Sequence, residues 1–506
     1  MESTMSSRHA SPQRPATRAF CATLLSALAS TAFLSACAPL PAAHRSPALI
    51  DVAALGDVAP TGRAQEATAW PDDHWWTRYG DAQLDALMAE ALRGAPDLAV
   101  AQARLAQAEG LAQQQGAALR PEMQATASAL ETKQSYNYLT PKSMLPKGWH
   151  IYGNAGLDFS YDFDFWGRNR AAFAAATSQV EAARADAAQA RVTLTSAVAA
   201  AWFHLDELYA ERDTAVEALK VREQSRTLFQ TRLDNGLENT GSLRQMDARS
   251  AQARGDLLAI DESIELQRGE LAALVGAGPD RASKILRPAL AVRTGQGLPA
   301  ALPANLLGRR PDLIASRLRV EATARKIDVA RAGFYPNVNL SAMIGLQSLG
   351  LASFAHGGSV VGDVGPAISL PVFDQGRIKG QYASAQGAYD EAVASYDASL
   401  VRALHEVADA AASERALGEQ LAQAQAAYDA AHDAWRVAQD RYRGGLANYL
   451  EVLVSEDTLL ANQRALTRLQ ERGLALDVAF VRALGGGFDA ASTAAAASPA
   501  SAPTRG

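Results

Sequence analysis

The chain is written twice, and that constrains its fold more than any single motif does. Ala95-Pro96-Asp97-Leu98 returns as Arg310-Pro311-Asp312-Leu313 and Arg120-Pro121 as Tyr335-Pro336, each 215 positions later. Gly167-Arg168 returns as Gly376-Arg377 and Arg232–Leu237 (RLDNGL) as Arg441–Leu446 (RYRGGL), now 209 positions later. The six-residue change falls between Pro121 and Gly167, so the first copy carries the longer loop. A period of this size means two similar structural halves, not a solenoid of short repeats.

Each half contains a long stretch without proline, between Lys147 and Gly278 and between Val372 and Ser498. Proline breaks helix interiors, so these stretches are free to be helical throughout. Val198, Trp202, Leu205 and Tyr209 in the first, and Val393, Leu400, Leu404, Val407 and Ala411 in the second, form narrow apolar seams at helical spacing. About sixty helical residues rise roughly 95 Å, more than a globular domain needs. Asn235-Gly236 and Gly444-Gly445 supply residues that tolerate left-handed backbone, and second helices follow to about Val275 and Leu484. Each half therefore reads as a long antiparallel helical hairpin.

Before each long helix the period changes to two. Ile151, Gly153, Ala155, Leu157, Phe159, Tyr161 and Phe163 alternate with Tyr152, Asn154, Gly156, Asp158, Ser160 and Asp162. Val338, Leu340, Ala342, Ile344 and Leu346 repeat the alternation, and Met123–Ala129 and Val364–Val372 are weaker versions. These are two strand pairs of transmembrane length. Four strands cannot close a barrel, and an open edge in lipid leaves backbone groups unpaired, so a membrane reading demands several chains.

The N-terminus reads as an address. Arg8, Arg14 and Arg18 precede the uncharged stretch Ala19–Ala36, and Leu34-Ser35-Ala36-Cys37 resembles a bacterial lipobox, which would make Cys37 the lipidated residue. Ala38 follows where an aspartate would retain the protein at the inner membrane, which favours the outer membrane. Loss of residues 1–36, with one acid and three arginines, takes the formal charge from −6 to −8. Such an acidic chain is not a nucleic-acid binder. With cysteines only at 21 and 37, it forms neither a disulfide framework nor a thiolate metal site. His44, His74, His150, His204, His356, His405 and His432 show no metal-ligand spacing, and position 409 is Asp where a zincin that began at His405-Glu406 needs histidine. Neither a phosphate loop nor a nucleophile elbow occurs, so the chain reads as a non-enzyme without cofactor.

With Cys37, Trp75-Trp76, Gly80-Asp81, the paired Pro-Asp-Leu motifs, Phe165-Trp166-Gly167-Arg168, Phe373-Asp374-Gln375-Gly376-Arg377 and Tyr442–Leu453 in this order, the sequence resembles the TolC-like outer-membrane efflux proteins, in particular the lipidated NodT-type branch. The resemblance spans roughly residues 70–484. It implies an α+β membrane protein: a homotrimer whose four strands per chain make a 12-stranded transmembrane β-barrel, continued by a long periplasmic α-helical coiled-coil barrel. The domains expected are a signal peptide (1–36), a lipidated linker (37–70), a first repeat (71–278; strands about 122–131 and 151–163, long helix about 171–235), a linker (279–304), a second repeat (305–485; strands about 337–347 and 362–372, long helix about 377–443) and a disordered low-complexity tail (486–506).

The implied role is the exit duct of a tripartite efflux system, partnered by a periplasmic adaptor (membrane fusion protein) and an inner-membrane pump, and embedded in outer-membrane lipid. The hairpin turns Gly236-Leu237 and Gly445-Leu446 match the family's adaptor-docking tips. Glu451 occupies one position of its periplasmic carboxylate gate, Val454 stands where a second acid is expected, and Tyr442 and Arg443 lie where the family bonds its closed tip. Pro121, Gly167, Pro336, Pro371 and Gly376 fall at the junction of barrel and helices. A type I protein-secretion duct would share this architecture and differ in its pump. A periplasmic coiled-coil adaptor or scaffold would share the anchor and hairpins but need no strand pairs.

Overall fold

The proline-free stretches form the expected hairpins. The computed structural model describes residues 47–50, 70–137, 141–291, 308–371 and 373–488; Cys37 and the region around it lie outside them. In chain order the elements are α1 (Ala82–Gly94), α2 (Pro96–Ala117), β1 (Glu122–Thr132), β2 (His150–Asp162), α3 (Arg168–Asp234), α4 (Thr240–Leu274), α5 (Pro311–Ala332), β3 (Asn337–Leu349), β4 (Val360–Ser369), α6 (Gln375–Arg443) and α7 (Tyr449–Ala483). The series helix, two strands, long helix, helix thus occurs twice, from α2 to α4 and from α5 to α7. The chain divides into two compact units, one built from Leu111–Thr177 with Glu321–Glu391, the other from Ala48–Gly110, Ser178–Val320 and Ala392–Gly506.

The first unit holds one antiparallel sheet in the order β1-β2-β3-β4. Its register sorts the side chains. Met123 lies opposite Phe159 and Ala125 opposite Leu157; Leu157 lies opposite Ile344 and Tyr161 opposite Leu340; Ala342 lies opposite Val364 and Val338 opposite Ile368. Because side chains alternate at period two, all of these share one face, and that face is apolar across four strands. It is also bare: Met123, Ile344, Val364 and Ile368 are each more than 60% exposed. The other face carries Gln124, Asp158, Met343 and Asp363 in one row and Glu122, Ser160 and Ser341 in another. β1 and β4 each pair on one side only, which leaves two open edges.

In the second unit the apolar seams meet a short N-terminal segment. Trp75, Trp76, Tyr79, Leu84, Leu87 and Met88 pack with Val198, Trp202, Phe203, Leu205, Leu271, Ile285, Leu474 and Val478. Asp81 fixes this core. One carboxylate oxygen caps α1 by accepting from the Gln83 and Leu84 amides at 2.9 and 3.3 Å. The other accepts from Trp202 Nε1 at 3.2 Å and from the Ala289 amide at 2.8 Å. The Gly80-Asp81 motif is thus accounted for by one buried carboxylate with every bond made.

Residues at two of the expected boundaries are packed. The linker expected over 279–304 is packed in its first part: Ile285 is fully buried and the Ala291 amide donates to Tyr79 O at 2.9 Å. At the expected start of the tail Gly486 is buried, as is Gly485 before it. A methyl group at Gly485 (φ +97°) would lie 2.1 Å from Arg309 O, and one at Gly487 would lie 1.9 Å from Asp72 O. The glycines are there to let backbone touch backbone, which composition alone cannot distinguish from a flexible run.

Candidate gate at the hairpin ends

Both hairpins turn in the same way. The Gly236 amide donates to Leu233 O and the Leu237 amide to Arg232 O, at 2.9 and 2.8 Å. The Gly445 amide donates to Tyr442 O and the Leu446 amide to Arg441 O, at 3.0 and 2.8 Å. Gly236 and Gly445 are left-handed, at φ 71° and 72°. These paired bonds satisfy the last carbonyls of α3 and α6, and they require a residue without Cβ strain at the turn. Asn239 and Asn448 then cap α4 and α7, accepting from the Ser242 and Glu451 amides at 3.0 and 3.2 Å. Leu237 and Leu446, which in such turns usually pack back on the helix, are 66% and 74% exposed instead.

The two turns are tied together. Phe229, Leu243, Met246 and Leu453 make a small buried cluster against Leu233 and Tyr449. Tyr449 stacks edge-on against Phe229 and Tyr442, at 4.7 and 5.0 Å between centroids. Its hydroxyl bonds to Ser225 Oγ. Arg232 donates to the Tyr442 hydroxyl at 2.9 Å and lies over the same ring. Asp457 of α7 accepts from Arg222 of α3 at 2.7 Å and from Arg249 of α4 at 2.8 Å. One carboxylate on the second hairpin therefore holds both helices of the first. Burial pushes the Asp457 carboxyl up, but the hydrogen bonds and charges of the two arginines outweigh it and hold it below the usual range. Next to it Glu456 is buried, and burial pushes its carboxyl up.

Glu451 sits in the first turn of α7, where a carboxylate is favoured by the helix dipole. Its Oε1 accepts from Arg441 Nη1 at 2.5 Å, so an arginine three residues before Gly444 shares its charge. Glu451, Val454, Leu450, Val437 and Ala434 line an open groove of about 780 Å³ along α6 and α7. Arg443 is exposed and among the described residues pairs only with Asp440, at 3.5 Å. The remaining predicted residues lie in the sheet unit. Pro121 and Pro336 immediately precede β1 and β3, Pro371 follows β4, and Gly167 makes a left-handed turn (φ 73°) before α3. Gly376 differs from its counterpart: it lies within α6 and has no neighbour that a methyl group would meet.

Arg222, Ser225, Arg232, Arg249, Tyr449 and Asp457 are absent from the sequence prediction. A usable signal existed for some of them. In a helical hairpin, residues equally far on either side of the turn face one another. Arg222 and Arg249 stand 14 and 13 positions from Gly236, and Arg226 and Asp247, bonded at 2.6 Å, stand 10 and 11. What pairs one hairpin with the other has no such local rule.

An apolar sheet face, a polar opposite face, two open edges and paired helical hairpins define a subunit of a membrane duct. Residues 87–277 and 302–486 match the outer membrane efflux protein family, and the chain belongs to that family of outer-membrane efflux channels. Among curated relatives, it is 34% identical to the fusaric acid resistance protein FusA of Burkholderia cepacia, over 74% of this chain and 70% of that protein. It is 29% identical to the multidrug resistance outer membrane protein MdtP of Escherichia coli K12, over 92% of this chain and 96% of that one. Among solved structures, the outer membrane protein VceC of Vibrio cholerae superposes with a TM-score of 0.78 at 47% identity, covering 83% of this chain and all of VceC.

Proposed function

We propose that three copies of this chain close one barrel of twelve strands in the outer membrane and form the exit duct of a tripartite system that exports small toxic molecules. The observation that carries the reading is the sheet: four strands with an apolar face in register and both edges open. Neighbouring copies pairing β1 to β4 satisfy every edge group, turn the apolar face to lipid and turn Asp158, Asp162 and Asp363 to the lumen. The names of FusA and MdtP support drug-like cargo. Cys37 is the proposed lipid anchor.

In this reading Gly236-Leu237 and Gly445-Leu446 meet a periplasmic adaptor, which takes its cargo from an inner-membrane pump. Their exposed leucines support it. Glu451 contributes a ring of three carboxylates at the periplasmic entrance, weakened by Arg441 and bordered by the apolar Val454. Tyr442 holds the neighbouring hairpin through Arg232, and Arg443 adds exposed positive charge beside the turn. The duct acts by shape and field, with no chemical step. Planar-bilayer recording on assembled protein tests this reading. Glu451→Ala should raise conductance and weaken cation preference modestly, and Val454→Asp, whose acid has no arginine fixed to it, should strengthen cation preference more. Unchanged selectivity in both variants would place the constriction elsewhere, and a soluble periplasmic monomer on fractionation would end the reading.

A further inference from the structure

The far end of the sheet, away from the helices, has a composition of its own. From Thr132 to Leu157 and from Leu346 to Gly362 the sequence contains no acidic residue, although the chain as a whole is acidic. The first loop instead carries Lys133, Lys142 and Lys147. Lys133 and Lys147 are exposed, and neither has an ion-pair partner among the described residues. Lys133 and Trp149 are the next residues beyond the last ladder pair, one after Thr132 and the other before His150. The loop is folded back on itself: the Gly148 amide donates to the Tyr136 hydroxyl at 2.9 Å, and His150 Nε2 bonds to Lys147 O at 3.0 Å.

The same end is also apolar. Met144 and Trp149 are 74% and 63% exposed. The second loop leans over the apolar face, since a methyl group at Gly153 would meet the Phe354 ring at 3.0 Å and Leu351 at 3.6 Å. The bare hydrocarbon face therefore continues into a collar of Trp149, Phe354 and Leu351, with the exposed Met144 in the same loop as Trp149 and with Lys133 and Lys147 beside it. An aromatic ring with a cation next to it fits a boundary where acyl chains meet phosphate.

We propose that this collar binds a phosphorylated glycolipid of the outer leaflet, lipid A, with Lys133 and Lys147 on its phosphates and Trp149, Phe354 and Leu351 against its upper acyl chains. The inference rests on the reading that the sheet spans the outer membrane with these loops outside. Full-length protein purified as the assembled oligomer is titrated with lipid A, with lipid A stripped of its phosphates, and with phosphatidylglycerol micelles, following the thermal midpoint and the tryptophan emission. Lipid A should raise the midpoint, while the stripped lipid and phosphatidylglycerol should do so only weakly. Lys133→Gln/Lys147→Gln should weaken lipid A binding by roughly fivefold for each lysine removed, and the corresponding double arginine variant should retain it. Equal binding of phosphorylated and stripped lipid, or unaltered binding by the glutamine variant, overturns the proposal. Outer-membrane fractionation of the same preparations separates the two readings: a wild-type chain that does not assemble there contradicts the duct itself, whereas an assembled duct indifferent to the lysines contradicts only the collar.

Discussion

Asp457 offers the most direct way to loosen the link between the hairpins. Asp457→Ala removes hydrogen-bonded ion pairs to Arg222 at 2.7 Å and Arg249 at 2.8 Å and leaves two guanidinium groups facing each other across the gap. Half-exposed pairs contribute about 0.2–1 kcal/mol each. The Arg222 side chain is only 16% exposed, which puts its pair at the upper end, so the loss is about 1–2 kcal/mol. That is a factor of about 5 to 30 in the balance between joined and separated hairpins. In planar bilayers, channels of Asp457→Ala should show larger conductance or longer open times than wild type. Asp247→Ala is the matched control. It also breaks two arginine pairs, with Arg226 at 2.6 Å and Arg244 at 3.1 Å, but both lie within the first hairpin. If Asp457→Ala conducts as wild type does, or if Asp247→Ala opens the channel equally, the link does not gate and the reasoning fails.

Three further outcomes are expected. Glu456, raised by burial, binds its proton more tightly in the folded protein than in the unfolded chain. It therefore penalises folding at neutral pH, and the penalty fades as pH falls through its folded value; Glu456→Gln should raise the thermal midpoint at pH 7 by about 2 °C and flatten its acid dependence. Asp457, held below its usual range, has the opposite sign, and its contribution is lost as pH falls. Gly485→Ala should cost about 2 kcal/mol or more and lower the abundance of the assembled oligomer, whereas Gly380→Ala, with nothing near it, should be tolerated. Leu446→Asp, at an exposed turn, should leave oligomer abundance unchanged and abolish drug export; normal export with the adaptor still bound would remove the tip from the docking surface.

The parts of the fold legible in the sequence are those ruled by local periodicity. The alternation from Ile151 to Tyr161 and the seam Val198, Trp202, Leu205 report a face on their own, because one strand or helix suffices to show a period. The repeat at 209 positions was equally plain, and it paired Gly236 with Gly445 correctly. It failed at Gly167 and Gly376, where equivalent letters serve different backbones, one left-handed before a helix and one inside it. Gly486 and Gly487 read as the start of a tail because small residues look alike whether they are loose or pressed against a neighbouring side chain or carbonyl. The arginine contacts of Asp457 were hidden for a different reason. They join residues more than two hundred positions apart, and only the placement of one hairpin against the other brings them together.

The central claim is that one face of this sheet meets lipid and the other lines water. Single cysteines placed at each position of β4 from Val360 to Ser369, in a background where Cys37 alone is otherwise retained for the anchor, test it on assembled protein in intact outer membranes. Positions 360, 362, 364, 366 and 368 should resist a water-soluble maleimide and react with a lipid-soluble one, while 361, 363, 365, 367 and 369 should react with the water-soluble maleimide. Uniform labelling along the strand, or the opposite parity, would contradict the barrel.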